Sequence, residues 1–464
     1  MQYKKNDFNN ILILFLFAHF FIWVLIPGIS NNNLPLDTIE ALAWGSNLSW
    51  GYNKHPPLSA WSVEIFYQIF GNQDWAYYFL SQLFVISAFF IIFKFSEYFF
   101  QNQIYSLISV LLLEGIYFYN FTTPELNAFL CQFPFLAATV FYCWKSIKKN
   151  DNISWFLLGI FAGLAALTYY LSFYLLSALG LFFIYTITQE KKFNPKYLIS
   201  LLSFFVVLLP HLIWIVENNY TSINYALFRS FGDPLTGLGG SKFLDHIFYP
   251  LIFLGKQLGL LLPFFVMFFF LVTKFKTKIN YKDKKLLFLI SIAIVPIILM
   301  FFTSLFTGAR IRTMWMTSFY LFAGVFFVYM FKNKINLEKF KNFFIAFLFL
   351  FVLSPLLYYF VSYTKTNKRT DYPGKKISQI VQTQWDDNFS NKIEVVVGDG
   401  WINGGWYAGN LSYHLKSRPK LKTKLENKPS VGTVWIRGFN EIKNCEGFIY
   451  RIEPFNDICM FGKK

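Results

Sequence analysis

Residues able to act in acid–base chemistry or anion binding are concentrated between positions 37 and 57. Asp37, Glu40 and Trp44 are spaced so that they share one face of a helix, and Lys54-His55-Pro56-Pro57 follows ten residues later. A carboxylate can hold or deprotonate a hydroxyl group, and nearby cations can stabilise a departing phosphate. Structural roles compete with this interpretation: Asp37-x-x-Glu40 fits a capping box, Lys54 could extend toward a membrane surface, and His55 could serve only to shape the turn.

Further candidates lie at two other places in the chain. The segment Phe121-Thr-Thr-Pro-Glu125-Leu-Asn127 brings a second acid and an amide, and Arg310 and Arg312 form a cationic pair. Arginine suits bidentate phosphate contact, although this pair could equally meet lipid headgroups. Asp37 and Glu125 together could bind a divalent cation, but two carboxylates alone leave the metal undecided.

The elements that must position these residues are membrane spans. The 464 residues are 55% hydrophobic and only 14% charged, and the apolar residues fall into blocks of bilayer length. Eleven blocks predict a polytopic all-α membrane domain of about eleven transmembrane helices over residues 1–363. The predicted spans are 11–29, 75–93, 104–119, 127–144, 153–168, 171–188, 198–216, 247–272, 286–302, 315–331 and 343–363.

The lysines predict the orientation of these spans. Loops on one side hold most of them, whereas the opposite loops before residue 364 contain few basic residues: Lys54, Arg229, Lys242, Arg310 and Arg312. The positive-inside rule places the N-terminus in the cytoplasm and the sparse side outside, so we expect a bacterial inner-membrane protein. The net charge of +17 is explained by these loop lysines, and we expect no nucleic-acid partner. The few outer cations become candidates for ligand contacts.

Residues 364–464 have a different character. Short apolar runs at 393–397, 434–436 and 448–452 predict strands and 377–385 predicts a helix, so we expect a small α/β domain in the periplasm. Cys445 and Cys459 flank a predicted hairpin in an oxidising compartment, which favours a disulfide. The alternative is two unpaired thiols buried as small apolar groups.

The motifs around the first outer loop resemble glycosyltransferase family 39, the protein mannosyltransferase-like group that includes the aminoarabinose transferases of lipid A. The similarity lies in Leu-Asp37-x-x-Glu40-Ala, Trp44 and Gly51-Tyr52-Asn53-Lys54-His55-Pro56-Pro57. It covers about the first 225 residues well and the later spans only in outline. The resemblance implies an inverting enzyme of the GT-C fold. It implies catalytic roles for Asp37 and Glu125, supporting roles for Glu40 and Asn127, and donor or phosphate binding by Tyr52, Lys54, His55, Arg310 and Arg312.

One position departs from the family pattern. In the stretch Gly163-Leu-Ala-Ala-Leu-Thr168-Tyr169-Tyr170, the family usually has a lysine where Tyr169 stands. If that lysine binds the lipid phosphate in relatives, another cation must do so here.

The resemblance implies transfer of a sugar from an undecaprenyl-phosphate donor, in contact with membrane lipids, to lipid A or another envelope glycan. Protein hydroxyls are the alternative acceptor. Such a donor already carries its leaving group. The sequence therefore assigns no definite cofactor and leaves open only the divalent cation considered above. A lipid or solute transporter is the competing class, and it predicts an internal repeat and helices broken at mid-membrane. The clustering of acidic and aromatic residues in an outer loop favours the enzyme.

Overall fold

The computed structural model of this chain is dominated by helices. It describes residues 5–231, 243–274, 276, 279–398, 405–422, 425, 429–437, 445–452 and 456–464. Lys242 lies outside the described residues. The helices of the membrane part are α1 (Lys5–Ser30), α2 (Leu36–Gly45), α3 (Leu58–Phe70), α4 (Asp74–Phe100), α5 (Gln103–Leu111), α6 (Ala128–Lys149), α7 (Asn152–Thr168), α8 (Ser172–Glu190), α9 (Tyr197–Glu217), α10 (Thr221–Phe231), α11 (Asp245–Leu260), α12 (Leu262–Phe269), α13 (Lys284–Ala293), α14 (Val295–Thr307), α15 (Ala323–Phe331) and α16 (Phe340–Thr364).

Each predicted apolar block coincides with a helix or with a helix pair. Within the described residues, five helices are long and apolar enough to cross a bilayer, and the number rises to eight if each of three bent pairs is one span. The bent pairs are α11 with α12, α13 with α14, and the 3₁₀ helix Thr313–Tyr320 with α15. The remaining predicted spans correspond to α5, α6 and α7. The polytopic helical fold is therefore confirmed, while the number of eleven spans stays a prediction.

The first outer segment folds into two short helices between α1 and α4. Pro35 directly precedes α2, and Pro57 directly precedes α3. Proline has no backbone N–H, so it leaves no unsatisfied donor at the start of a helix. Helix α2 begins at Leu36 and has no side-chain cap, so Asp37 lies inside the first turn. The capping-box alternative for Asp37 is therefore wrong.

The segment between α5 and α6, called the second outer segment because the lysine pattern predicts it to lie outside, follows the broken end of α5. After Leu111 the chain continues in two 3₁₀ helices, Leu112–Gly115 and Tyr117–Tyr119, and reaches α6 through the loop that carries Glu125. Buried residues line almost all of this stretch, so the loop passes through the protein and not over its surface.

The C-terminal part contains α17 (Gly374–Asn388), α18 (Gly405–His414) and a five-stranded sheet. The strands are β1 (Val395–Gly398), β2 (Lys420–Lys422), β3 (Thr433–Arg437), β4 (Phe448–Ile452) and β5 (Asn456–Phe461), in the order β2-β1-β3-β5-β4. Strand β1 is parallel to both neighbours, and β5 is antiparallel to β3 and β4. The α/β fold agrees with the sequence prediction, which had missed α18, β2 and β5.

A disulfide joins Cys445 to Cys459 in the structure, with a Cα–Cα distance of 5.9 Å. Cys459 lies in β5 opposite Ile449 of β4, and Cys445 just precedes β4, so the β4–β5 hairpin brings the two together. The two other cysteines, Cys131 and Cys143, are free and buried.

The C-terminal sheet and helices lie directly against the first outer segment. Helix α18 packs on α2, where a side chain in place of Gly409 would meet Ile39 and Ala43 at 3.1 and 3.2 Å. The Asn33 amide donates to Asn410 at 2.8 Å. The two regions therefore share a packed interface, and α2 lies between the membrane helices and the C-terminal part.

Candidate active site

A cavity of about 620 Å³ gathers most of the predicted site residues. Helix α2 and the following loop contribute Asp37, Glu40, Lys54 and His55, and Arg312 comes from the segment before α15. The apolar wall is formed by side chains from α6, the α7–α8 junction, α8, α10 and α14: Phe129, Tyr169, Leu171, Tyr174, Ala226 and Met300. One chamber therefore has a charged end and an apolar side.

The two candidate acids meet at the junction of the first and second outer segments. The backbone N–H of Asp37 donates to Glu125 Oε1 at 3.3 Å, which holds the Glu125 carboxyl against the first turn of α2. Burial, followed by the charge of Asp37, raises the pKa of Glu125 to about 8. Burial also raises the pKa of Asp37, whereas Lys54, Arg369 and Arg229 oppose that rise. Because the pKa of Glu125 lies near 8, this buried pair retains one proton near neutrality.

Lys54 points into the cavity and away from solvent. Its ammonium lies 2.5 Å from Glu40 Oε1, and the two side chains are 11% and 10% exposed. It also lies 5.9 Å from the Trp44 ring centroid and 5.7 Å from that of Tyr225. A lysine reaching for the membrane surface would be more exposed, so the structure favours the site interpretation.

His55 contributes shape and not charge. Burial, with the charges of Lys54 and Arg229, lowers its pKa to about 3, so the imidazole is neutral. Its ring packs edge-on against Tyr169 at 5.3 Å and Trp44 at 5.7 Å, and Nδ1 has no hydrogen-bond partner among the described residues. The expectation that His55 adds a positive charge for phosphate is corrected by this burial.

Two arginines that the motifs did not single out also line the cavity. Arg229 comes from α10, and Arg369 from a 3₁₀ helix beyond the last membrane helix. Arg369 acts electrostatically on Asp37, Glu40 and Glu125. The scarcity of outer cations already pointed to Arg229. No local signal marks Arg369, because only the fold brings the C-terminal part to the cavity.

Other predicted residues take structural positions. The Tyr52 hydroxyl donates to Asn47 O at 3.3 Å and its ring stacks on Trp44, outside the residues that line the cavity. The Asn127 side chain caps α6 by accepting from Leu130 N at 3.1 Å. Arg310 is exposed, and its backbone N–H donates to Ser230 O, which ties this segment to α10. For these three, the structure offers a fold-supporting contact in place of a cavity contact.

Metal binding stays undecided for this site. Among the described residues, no group of three or more His, Cys, Asp and Glu side chains is arranged to hold an ion. Asp37 and Glu125 remain a pair, and Glu40 is engaged by Lys54.

Comparison with known proteins finds a matching sequence region and a similar fold. Residues 54–214 match the family model of dolichyl-phosphate-mannose-protein mannosyltransferases. The whole fold is similar to the crystal structure of ArnT from Cupriavidus metallidurans bound to undecaprenyl phosphate, with 10% identity, a TM-score of 0.63, and coverage of 92% of this chain and 93% of that one. The apo state of the same protein gives a TM-score of 0.60 at 10% identity, covering 97% of each chain. No curated protein matches the sequence.

The overall fold is that of the membrane-embedded GT-C type. The match over residues 54–214 lies in the region whose motifs resemble family 39.

Proposed function

We propose that this protein transfers a sugar from a polyprenyl-phosphate donor to an acceptor hydroxyl or phosphate at the outer face of the bacterial inner membrane. The observation that carries the proposal is the convergence of Asp37 and several cations on one cavity with an apolar wall, with the Glu125 carboxyl bonded to the backbone of Asp37. The matched family description names a dolichyl-phosphate sugar, and a protein of the same fold binds undecaprenyl phosphate, which supports a lipid-phosphate donor.

Asp37 is the proposed base of the reaction. Its carboxylate accepts the proton of the acceptor oxygen as that oxygen bonds to the anomeric carbon of the sugar. The bond between that carbon and the phosphate oxygen breaks, and the electron pair leaves with the polyprenyl phosphate. Attack opposite the leaving group inverts the anomeric centre. Arg229, Arg312 and Arg369 lie where they can stabilise the charge that develops on the phosphate.

Glu125 is the proposed proton-holding partner of Asp37. With a pKa of about 8, Glu125 is protonated at neutral pH. In this proposal Asp37 carries the negative charge of the pair, which the charge of Lys54 favours. Above that pH a second negative charge appears in the site and opposes the build-up of charge on the leaving phosphate. The arrangement therefore assigns different roles to two chemically similar groups.

The acceptor that we favour is lipid A or another envelope glycan, with protein hydroxyls as the alternative. Lys54 is paired with Glu40, but three arginines remain for anionic ligands. One lipid phosphate needs fewer cations than this, so an acceptor that itself carries phosphate, as lipid A does, fits the charge of the cavity.

Mass spectrometry of the envelope tests this proposal. Lipid A is compared between cells with the gene, cells without it, and cells complemented with the Asp37→Asn variant. We expect a sugar-sized mass difference that only the wild-type gene restores. If lipid A is unchanged but another glycan or protein loses a sugar, the acceptor assignment is wrong. If no glycoconjugate of the envelope changes, the proposed function is contradicted.

A further inference from the structure

A buried pair of titratable residues lies inside the helical bundle, away from the cavity. His19 Nδ1 of α1 and Glu114 Oε1 of the 3₁₀ helix after α5 are 2.6 Å apart, and both side chains are almost fully buried. Neither residue lines the cavity. Polar groups are expensive to bury in a membrane bundle and are usually retained for a purpose, so this pair requires an explanation.

The pair is connected to the start of the second outer loop. Asn120 Nδ2 donates to Glu114 Oε2 at 2.9 Å and to Glu114 O at 2.8 Å. Asn120 Oδ1 accepts from Phe121 N at 2.5 Å and from Ser354 Oγ of α16 at 3.1 Å. Glu114 thereby fixes the orientation of the Asn120 amide. The four contacts of that amide join Glu114, Phe121 and Ser354 of α16.

The same loop is held along its length up to the active-site acid. Asn120 O accepts from Thr123 Oγ1 at 2.7 Å, and Gln82 of α4 donates to the same hydroxyl at 3.0 Å. Thr122 O accepts from Glu125 N at 3.2 Å. Thr38 of α2 donates to Leu126 O at 3.2 Å. The contacts run without a break from Glu114 to the place where Glu125 meets Asp37.

We propose that Glu114, held by His19, is a positioning residue that fixes the loop 120–126 so that the Glu125 carboxyl lies against the N-terminus of α2. The inference rests on the proposed function for its catalytic consequence, but its structural part stands on the contacts alone. A misplacement of about 1 Å at a reacting group can lower a rate about 100-fold. Loss of the Glu114 contacts is expected to act through such a shift.

Two substitutions at Glu114 separate positioning from charge. Glu114→Gln keeps an oxygen that can accept from Asn120 and an amide that can donate to the His19 ring, so we expect it to retain most activity. Glu114→Leu removes both contacts, and we expect kcat to fall about 100-fold with little change in the KM for donor. Gln257→Leu is the matched control, because it breaks a buried contact with Tyr320 at 2.7 Å that involves no residue of the loop 120–126.

The pH profile supplies a readout that lost stability would not move. Glu125 is faced by Asp37 and Glu40 from α2, by Arg369 from the C-terminal part and by Tyr358 from α16. If the loop moves outward in Glu114→Leu, burial and the repulsion by Asp37 both weaken. The transition that we assign to Glu125 should then move from near pH 8 toward the ordinary range of a glutamate. Gln257→Leu should lower the melting temperature without moving that transition.

Hydrogen exchange of peptides covering residues 120–127, followed by mass spectrometry, tests the inference without any substrate. We expect faster exchange in Glu114→Leu and protection close to wild type in Glu114→Gln and Gln257→Leu. Unchanged exchange in Glu114→Leu overturns the inference, as does a wild-type kcat and pH profile in that variant. An inactive wild-type protein with faster exchange in Glu114→Leu would refute the proposed function but leave the positioning intact. If Glu114→Leu does not accumulate, Asn120→Ser is measured with the same expectations.

Discussion

Arg418 gives the sharpest test of how the C-terminal part supports the active site. It follows α18, and its Nη2 donates to Leu42 O near the end of α2 and to Glu64 Oε2 of α3, the latter at 3.0 Å. Its guanidinium also lies 4.0 Å from the centroid of the Tyr67 ring. A cation at the C-terminal end of α2 is favourable for the helix dipole. Arg418→Met keeps the apolar length of the side chain and removes every one of these polar contacts.

The expected magnitude follows from the burial of the pair. The Arg418 and Glu64 side chains are 12% and 9% exposed, so solvent screens their interaction only slightly. Removing one partner of a buried pair costs about 3–5 kcal/mol, because the other charge is left without a partner. We take about 3 kcal/mol, since some solvent reaches both groups. A free energy of that size corresponds to about a 100-fold change in an equilibrium constant.

Hydrogen exchange of peptides covering α2 measures this change as a local opening equilibrium. We expect about 100-fold faster exchange in Arg418→Met, together with a lower transfer rate, because α2 carries Asp37. The control is Lys284→Met, which breaks the pair with Glu190, whose side chains are 44% and 55% exposed. An exposed pair contributes at most about 1 kcal/mol. Exchange in α2 that is the same in both variants would refute the docking role of Arg418.

Four further predictions follow from the site and the fold. Asp37→Asn should lower kcat by about 100-fold to 10,000-fold in a membrane transfer assay, with expression unchanged, because the proposed base is lost. Glu125→Gln should keep most activity at neutral pH and remove the decline that we expect in the wild type as pH rises through about 8, as a pH–rate profile would show. A periplasm-active reporter fused after Lys464 should be active, and a signal only from a cytoplasmic reporter would contradict the orientation. Thiol labelling of the denatured, non-reduced protein should leave Cys445 and Cys459 unmodified, and reaction of both would show that the disulfide is absent.

The fold could be predicted from the sequence because bilayer length and hydrophobicity are local properties. Each apolar block became a helix or a bent helix pair. The bends could not be read in the same way. The break between α13 and α14 falls between Ala293 and Val295, inside a continuous apolar run, and only Pro296 hints at it. Hydrophobicity sets the length of a span but says little about where the span bends.

The candidate site was predictable only where its residues are close in sequence. Asp37, Glu40 and Lys54 share one short segment and meet as expected, whereas Arg369 reaches the cavity only because α2 packs against the C-terminal part. Glu114 illustrates the opposite case. Its charge was evident from the sequence, but its partner His19 lies 95 residues away. Long-range pairing is set by tertiary packing, which no spacing rule records.

The cations near Tyr169 come from distant parts of the chain, so the charge of this cavity is set by the fold and not by sequence position. The family pattern predicts a lysine at this position. The tyrosine ring instead packs against Phe129 at 4.5 Å and closes the wall of the cavity beside His55. Arg229 and Arg312 both interact electrostatically with Tyr169, so they lie close to the position that the lysine would serve. A phosphate responds to the distance and geometry of its cations, and two guanidinium groups offer more directed donors than one ammonium. The departure at this position is therefore consistent with a lipid-phosphate donor, provided that α10 and the segment before α15 stay docked over the cavity.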